Sequence, residues 1–224
     1  MLTYLETTTG QSLGLPSKIV CVGRNYVAHA KELNNPVPAN PLLFLKPNTT
    51  LIDFHQPFTI PMNRGAVHYE LEAAVYISNL LKNADDTTAL NSISHVGLAF
   101  DLTLRTLQEE LKKSGHPWEK SKSFDGACPI STFYLVKIDD DLDELSFNLK
   151  INGERRQYGQ VKQMITPIVQ LVSYASSFFT LLPGDIILTG TPAGVGELQR
   201  GDNIEAELSI GNQSVLQLST TISS

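Results

Sequence analysis

Two glutamates in the first half of the chain are spaced so that they can share a cation. Glu70 and Glu72 lie within residues 67–77, where every odd-numbered residue is apolar. This alternation has the period of a β-strand, and it predicts that both glutamates leave the same face of that strand. A glutamate pair opposite an apolar face is also common on a solvent-exposed strand. The spacing alone leaves both interpretations open.

Asp101 adds a third carboxylate in a setting that needs compensation. Residues 96–102 contain no other polar side chain, which predicts a strand covered on both faces, where an unpaired ionised carboxylate is unfavourable. Three converging carboxylates raise one another's pKa, and a divalent cation removes that conflict. A ligand set made only of oxygen suits Mg²⁺ or Mn²⁺ better than zinc or copper. The alternative is that Asp101 pairs with a Lys or Arg inside the fold.

A histidine and a glutamate share one face of a short predicted helix. The pattern from Val27 to Leu33 is helical, and His29 and Glu32 stand three residues apart in it. At this spacing a carboxylate can orient an imidazole and raise its basicity, as in a general base that activates water. A pair of surface side chains and a His-x-x-Glu zinc site are the alternatives.

Further candidate groups follow Asp101 along the chain. Residues 103–114 have leucines at helical spacing, and Arg105 and Gln108 share a face of that predicted helix. Arginine binds carboxylates through two parallel hydrogen bonds, so this face suits a substrate carboxylate, or it is simply the polar face of an amphipathic helix. Lys120 and Lys122 alternate on a predicted extended segment, and one of them is a candidate positive partner for Asp101.

The remaining elements must position these groups. Residues 18–23 predict a strand, and Asn152 and Gly153 predict the turn of a β-hairpin. Residues 186–188 predict another strand, followed by the glycine-rich loop 189–196. That loop lacks the Lys-Ser/Thr of a phosphate-binding loop and the spacing of a dinucleotide fingerprint, which argues against nucleotide binding.

Composition narrows the class of protein. The 224 residues carry a net charge of −6, with 42% hydrophobic and 18% charged residues, as in an ordinary globular protein. No basic stripe suggests nucleic acid, and no apolar stretch suggests a membrane span. The N-terminus lacks a secretory pattern, which predicts a cytoplasmic protein. Cys21 and Cys128 have no Cys-x-x-Cys spacing and are predicted to be reduced, buried thiols.

From Lys18 onward the chain resembles the fumarylacetoacetate hydrolase family, in particular its short single-domain subgroup of acylpyruvases and oxaloacetate decarboxylases. Several motifs in one order carry the resemblance: Val22-Gly23-Arg24-Asn25-Tyr26 with His29, Leu43-Phe44-Leu45-Lys46-Pro47, His68-Tyr69-Glu70-Leu71-Glu72, Asp101-Leu102-Thr103 with Arg105, Trp118 with Lys122-Ser123-Phe124-Asp125, and residues 184–196.

The resemblance implies an α+β, mainly β fold: a mixed β-roll or sandwich of the type found in the C-terminal domain of that family, with flanking short helices. It implies an N-terminal arm at 1–16 and a single catalytic domain at 17–224, with a lid near 24–40. A homodimer is expected.

The resemblance also assigns expected roles to side chains. Mg²⁺ or Mn²⁺ would be held by the three carboxylates, and His29 with Glu32 would form a catalytic dyad on the lid. The remaining expected site residues are catalytic Lys122 and the substrate-binding residues Arg24, Arg105, Gln108 and Thr191.

The implied activity is hydrolysis of a carbon–carbon bond in a 3-acylpyruvate such as acetylpyruvate. A metal-stabilised enolate would lead to pyruvate and a carboxylic acid. The alternatives are decarboxylation of oxaloacetate, its keto–enol tautomerisation, and an isomerase or decarboxylase reaction of aromatic degradation. From another class, the chain could be a catalytically silent, metal-dependent binding dimer. All of these except the silent dimer act on a small keto acid.

Overall fold

The computed structural model describes residues 2, 5–61 and 63–223. Met1, Thr3, Tyr4, Met62 and Ser224 lie outside the described residues, so parts of the predicted arm (1–16) and catalytic domain (17–224) do as well. The described part of the arm forms a two-stranded hairpin whose Leu5 is buried against the main sheet. The division into arm and domain stays a prediction.

Short strands dominate the described residues, and the helices are few and short. The strands are β1 (Leu5–Glu6), β2 (Ser12–Gly14), β3 (Ile19–Gly23), β4 (Leu42–Lys46), β5 (Leu51–Asp53), β6 (Val67–Tyr69), β7 (Leu71–Ile77), β8 (Ile93–Phe100), β9 (Thr103–Leu104), β10 (Cys128–Ile130), β11 (Tyr134–Leu135), β12 (Leu145–Ile151), β13 (Glu154–Gln160), β14 (Ile186–Leu188), β15 (Gly196–Glu197), β16 (Asn203–Ile210) and β17 (Gln213–Thr221). The α-helices are α1 (Val27–Glu32), α2 (Asp86–Leu90), α3 (Arg105–Lys113), α4 (Glu119–Lys122) and α5 (Ile168–Phe178), and 3-10 turns lie at Asn48–Thr50, Leu142–Glu144 and Val161–Gln163.

The central layer is a mixed sheet of eight strands in the order β4-β3-β14-β7-β8-β10-β5, with β11 also paired to β8. Strand β14 runs parallel to β3, and β10 runs parallel to β5. The other strand pairs described in this sheet are antiparallel. Alternate side chains of β3 enter different cores: Val20 and Val22 pack on one face, and Ile19 and Cys21 on the other. Burial on both faces explains why these strands are continuously apolar.

A second, four-stranded antiparallel sheet has the order β13-β12-β16-β17 and contributes to the larger core. Its first hairpin turns at Asn152 and Gly153, whose φ angles are 54° and 78°. Both angles are positive, as the predicted Asn-Gly turn requires. A small three-stranded sheet has the order β15-β6-β9. Its strand β6 ends directly before Glu70 in the candidate site.

The mainly β fold with short flanking helices confirms the predicted fold class. The predicted single strand at 67–77 is wrong at one residue, because Glu70 interrupts it. There, the Glu70 carbonyl accepts the Asp101 amide at 2.8 Å, and the Leu71 amide donates to the Gln157 side chain at 2.9 Å. A side chain thus replaces a neighbouring strand as the hydrogen-bond partner.

Two other local predictions need correction. Residues 103 and 104 belong to strand β9, so the predicted helix at 103–114 begins at Arg105. Lys120 and Lys122 lie on helix α4, not on an extended segment. The Lys122 amide donates to the Trp118 carbonyl at 3.1 Å, which closes a helical turn and directs the two lysines differently. Lys122 is buried and Lys120 is exposed.

Cys21 and Cys128 are free and buried, as predicted. Burial is the largest cause that raises the pKa of Cys128, to about 12, which keeps its thiol protonated at neutral pH. No helix among the described residues has the length and apolar character needed to span a membrane.

Candidate active site

The three predicted carboxylates meet at the end of the central β7–β8 pair. Strand β7 pairs antiparallel with β8, and Leu71 stands opposite Phe100. Glu70 and Asp101, which flank that pair, are therefore adjacent, and Glu72 follows on β7. One carboxylate oxygen from each of Glu70, Glu72 and Asp101 lies within 4.8 Å of the others, and all three side chains are buried. The shared strand face predicted from sequence is a buried one.

Positive side chains surround two of these carboxylates. The Lys122 Nζ atom lies 2.8 Å from Glu70 Oε2 and 2.6 Å from Asp101 Oδ2, and Arg105 Nη2 lies 2.5 Å from Glu70 Oε1. Burial alone raises the pKa of Glu70, but the charges of Lys122 and Arg105 outweigh burial and hold that pKa well below its usual range. Glu70 is therefore ionised at neutral pH.

Lys46 supplies a further cation that the sequence did not single out. Its Nζ atom lies 2.9 Å from Asp101 Oδ1. Its hydrogen bonds, however, go to the carbonyl oxygens of Lys122, Ala127 (3.1 Å) and Leu102 (3.4 Å). An ammonium has three hydrogens, so none is left for Asp101, and Oδ1 has no hydrogen-bond donor among the described residues.

Glu72 is the carboxylate without a cationic partner. Its Oε2 atom accepts the Gly190 amide at 2.6 Å, and it forms no salt bridge within the described parts of the chain. Burial, followed by the negative charges of Asp101 and Glu70, raises the pKa of Glu72 well above its usual value. An unpaired buried carboxylate, beside the buried Asp101 oxygen that lacks a donor, fits a divalent cation with oxygen ligands.

Gln157 and Thr191 hold the backbone between the two glutamates. Gln157 Oε1 accepts the Leu71 amide, and its Nε2 donates to Thr191 Oγ1 at 2.8 Å and to the Pro192 carbonyl at 3.0 Å. Thr191 Oγ1 in turn donates to the Leu71 carbonyl at 2.8 Å. Thr191 was predicted as a site residue, but Gln157 was not, because a single glutamine on strand β13 carries no signal of the distant backbone that it binds.

Helix α1 carries the predicted dyad and covers the carboxylates. His29 is 4% exposed, and its Nδ1 atom lies 3.5 Å from Glu32 Oε2. The other Glu32 oxygen accepts the Gly194 amide at 3.0 Å. Burial lowers the pKa of His29, although Glu70 and Glu32 act in the opposite direction. The imidazole is therefore neutral at neutral pH, as a general base must be.

The entry to α1 is fixed by Asn25. Its side-chain amide donates to the carbonyl oxygens of Thr166 (3.0 Å) and Thr189 (2.9 Å), and its Oδ1 accepts the Thr166 amide at 2.9 Å. The preceding residue, Arg24, has a φ of 60°, a left-handed conformation that non-glycine residues adopt rarely. The backbone therefore bends sharply at Arg24, directly before the anchored Asn25.

A narrow cleft lies between α1, α3 and the sheet, and its cavity volume of about 30 Å³ shows that its own side chains nearly fill it. Eight of the ten predicted site residues line it: Arg24, His29, Glu70, Glu72, Arg105, Gln108, Lys122 and Thr191. The other two, Glu32 and Asp101, contact His29 and Lys122 from outside this lining. Lys112 also lines the cleft and was not predicted. The arrangement combines anion-binding groups, a neutral base and a cation site in one small volume.

Comparison with known proteins gives the same family along nearly the full length. Residues 18–218 match the family model described as fumarylacetoacetate (FAA) hydrolase C-terminal. The chain is 48% identical over 189 residues to oxaloacetate tautomerase YcgM of Escherichia coli (strain K12), covering 84% of this chain and 86% of that protein. It is 42% identical over 188 residues to the mitochondrial oxaloacetate tautomerase FAHD1 of Homo sapiens, covering 84% and 85%.

A solved structure of a relative contains both a metal and a small acid. The fumarylpyruvate hydrolase of Pseudomonas aeruginosa, in complex with Mn²⁺ and pyruvate, is similar to this chain with a TM-score of 0.89 and 30% identity. The similarity covers 98% of this chain and 95% of that one.

Proposed function

This chain belongs to the fumarylacetoacetate hydrolase family, and from that premise we propose that it is a metal-dependent enzyme that interconverts the keto and enol forms of oxaloacetate. The observation that carries the proposal is one cleft lined by buried carboxylates, the Lys122 ammonium and a neutral His29. The names of the E. coli and human relatives support oxaloacetate as the substrate. Among the reactions considered for this family, tautomerisation also makes the smallest chemical demand, because it requires only proton transfer.

The proposed cation is Mg²⁺ or Mn²⁺, held by Glu70, Glu72 and Asp101. The all-oxygen donor set, the Glu72 carboxylate without a salt bridge and the Asp101 oxygen without a donor fit such an ion. When bound, the ion supplies positive charge that polarises the 2-oxo group of the substrate.

The side chains of the cleft divide the proton transfer between them. In the proposed reaction, His29 accepts a proton from carbon 3 of oxaloacetate at Nε2, since its Nδ1 lies on the Glu32 side. The electrons of the broken C–H bond form the double bond between carbons 2 and 3, and the carbonyl oxygen becomes negative. Lys122 stabilises this charge, and protonation of the oxygen completes the enol. Arg105 and Gln108 bind and orient the substrate carboxylate beside the site.

Ultraviolet absorbance of the enol form of oxaloacetate tests this proposal. We expect the wild-type protein to accelerate equilibration beyond the rate with Mg²⁺ alone, and a chelator to abolish the effect. His29→Ala should reduce the enzymatic rate by about 10²–10⁴, the usual contribution of a general base. Lys120→Met, on the same helix as Lys122 but exposed, serves as the control and should retain the rate. Absence of acceleration by the wild-type protein would refute the proposed tautomerase.

Hydrolysis of a 3-acylpyruvate is the second candidate. The His29–Glu32 pair favours it, because the same neutral imidazole can take a proton from water, which then attacks the distal carbonyl. The Pseudomonas relative, named a fumarylpyruvate hydrolase, supports this alternative. Release of pyruvate from acetylpyruvate measures hydrolysis, and release of carbon dioxide from oxaloacetate measures decarboxylation.

The silent binding dimer is distinguished from all these enzymes by turnover. It predicts metal and keto-acid binding with no reaction in any of the three assays. The homodimer, the cytoplasmic location and the mobile lid near 24–40 remain predictions based on the sequence and its resemblance to the family.

A further inference from the structure

Two of the four cations that line the cleft have no acidic partner. Arg105 and Lys122 are paired with Glu70. Arg24 and Lys112 form no salt bridge with any Asp or Glu in the described ranges of the chain. Two like charges that share a partly desolvated cleft repel each other unless an anion lies between them.

The pKa of Lys112 reflects this repulsion between positive side chains. Burial is the largest cause that lowers the pKa of Lys112, to about 8, and the positive charges of Arg24, Arg105 and Lys122 lower it further. Burial also lowers the pKa of Arg24. Both side chains thus lie in a place where positive charge lacks compensation.

The position of Lys112 separates it from the metal end of the cleft. Arg105, Gln108 and Lys112 follow one face of α3 at positions i, i+3 and i+7, and all three line the cleft. Seven residues of an α-helix span roughly 10 Å along its axis, so the backbones of Arg105 and Lys112 are about that far apart, at opposite ends of this row. An adjoining recess is bordered by one face of α3 and by the end of α1, and none of the three carboxylate ligands borders it. Its lining residues are Leu33, Asn35, Arg105, Gln108, Glu109, Lys112 and Lys113.

The Lys112 ammonium lies over an aromatic ring at the edge of the cleft. Its Nζ atom lies 5.2 Å from the centroid of the Trp118 ring, within the range of a cation–π interaction. Trp118 itself lines the cleft and packs against Phe44, with ring centroids 6.1 Å apart. A positioned cation at the far end of a cleft is suited to select a ligand by its charge.

We propose that Lys112, together with Arg24, binds the second carboxylate of a dicarboxylic 2-oxo acid and thereby selects such substrates over 2-oxo acids with an uncharged distal group. The inference rests on the proposed function, because the metal and Arg105 end of the cleft must bind the first carboxylate and the 2-oxo group. It adds a specificity-determining residue that would favour oxaloacetate over acetylpyruvate.

Binding of two stable ligands tests Lys112 independently of turnover. Pyruvate carries only the 2-oxo acid end, whereas 3,3-difluorooxaloacetate carries the same end and a distal carboxylate but cannot enolise. Calorimetric titration in the presence of Mg²⁺ compares their dissociation constants for the wild-type protein and for Lys112→Met, which keeps the aliphatic length but removes the charge. Lys120→Met is the matched control, since Lys120 is an exposed lysine on α4 that borders neither the cleft nor the adjoining recess.

We expect Lys112→Met to weaken binding of difluorooxaloacetate by about tenfold or more, which corresponds to about 1.4 kcal/mol, and to change pyruvate binding less than twofold. Lys112→Arg should restore much of the lost affinity, and Lys120→Met should change the binding of neither ligand. Equal losses for both ligands, or no loss for the dicarboxylate, would overturn the role of Lys112 and leave the tautomerase proposal standing. If the wild-type protein binds neither ligand, the proposed function fails together with this inference.

Discussion

The chemistry of His29 depends on a balance between burial and nearby negative charge. Burial favours the neutral imidazole, while Glu70 and Glu32 favour the protonated form, and burial prevails. Glu32 lies 3.5 Å from the Nδ1 atom of the proposed base, and its negative charge keeps the pKa of His29 from falling further. The surroundings of the His29–Glu32 pair therefore determine the pKa of His29.

This balance predicts the pH dependence of the proposed reaction. Because the His29 pKa is lowered, the base stays neutral to a pH below the usual histidine value, and the acid limb of kcat/KM should lie below about pH 6.5. Glu32→Gln removes a charge that raises this pKa, so the limb should move to still lower pH while kcat falls. A pH–rate profile measures both, with Lys31→Gln on the same helix as the control. A limb above pH 6.5, or one that moves upward in Glu32→Gln, would contradict His29 as the neutral base.

Which residues could be identified from the sequence depends on where their partners lie. Asp101 stands out because it interrupts an apolar run, and Glu70 and Glu72 stand out because they share one face of an alternating strand pattern. Lys46 does not, since its buried partners are carbonyl oxygens some 56 to 81 residues away along the chain. Gln157 likewise binds a backbone amide 86 residues distant. Only the folded chain shows these contacts.

At the scale of elements, the glycine-rich loop after β14 connects α1, which lies in the predicted lid, to the carboxylates. Its Gly190 amide binds Glu72, and its Gly194 amide binds Glu32 on α1. Gly194 has a φ of 98°, and a Cβ atom there would lie 1.9 Å from the Arg156 carbonyl oxygen. Because that neighbour is backbone, a side chain at 194 forces the loop itself to move.

Gly194→Ala should therefore loosen the lid. The displaced loop loses the amide contact with Glu32, so we expect slower turnover and several-fold faster cleavage by trypsin after Lys31, which is exposed on α1. Gly201→Ala is the matched control: its φ of 83° imposes a similar backbone strain, but no atom lies within 4 Å of the added Cβ. If both variants are cleaved at the wild-type rate, the Gly194 contact does not hold the lid.

The elements themselves were largely predictable, and the exceptions lie at the site. The period of two correctly predicted a strand on either side of Glu70, but not the break at Glu70, where Gln157 takes the place of a strand partner. Alternating lysines at 120 and 122 suggested an extended segment, whereas hydrogen bonds to the Trp118 carbonyl close a helical turn. At Glu70 a tertiary contact overrides the local pattern, whereas at residues 120–122 local helical hydrogen bonds do so.

At the scale of the whole molecule, the proposed metal site links the central sheet to its surroundings. The carboxylates belong to β7, the segment before it and the end of β8, and they are held by groups from β4, α3, α4, β13 and the loop after β14. Such a site exists only when these elements are folded together. A ligand that binds it stabilises the folded state by RT ln(1 + [L]/Kd), about 2.7 kcal/mol at one hundred times Kd.

The Glu72 carboxylate makes this linkage testable, because it should have opposite effects with and without metal. With a chelator present, the raised pKa of Glu72 means that the folded state binds a proton more tightly than the unfolded state. The contribution of Glu72 to stability should then be greatest below its unfolded pKa of about 4.5 and fall as pH rises towards the folded pKa. Glu72→Gln lacks this charge and can still accept the Gly190 amide, so at neutral pH its free energy of unfolding should exceed that of the wild type by on the order of 1–3 kcal/mol.

Saturating Mg²⁺ should reverse the order of the two proteins, since the neutral glutamine binds the ion more weakly and gains less from it. Urea unfolding of both proteins, at neutral pH and at pH 4, with Mg²⁺ and with a chelator, measures each free energy. Glu110→Gln, exposed on α3, is the control and should show neither effect. On this proposal, the bound metal compensates the unfavourable buried charge of Glu72. If Glu72→Gln were less stable than the wild type to the same extent in Mg²⁺ and in chelator, Glu72 would be a structural carboxylate and the three-carboxylate metal site would be wrong.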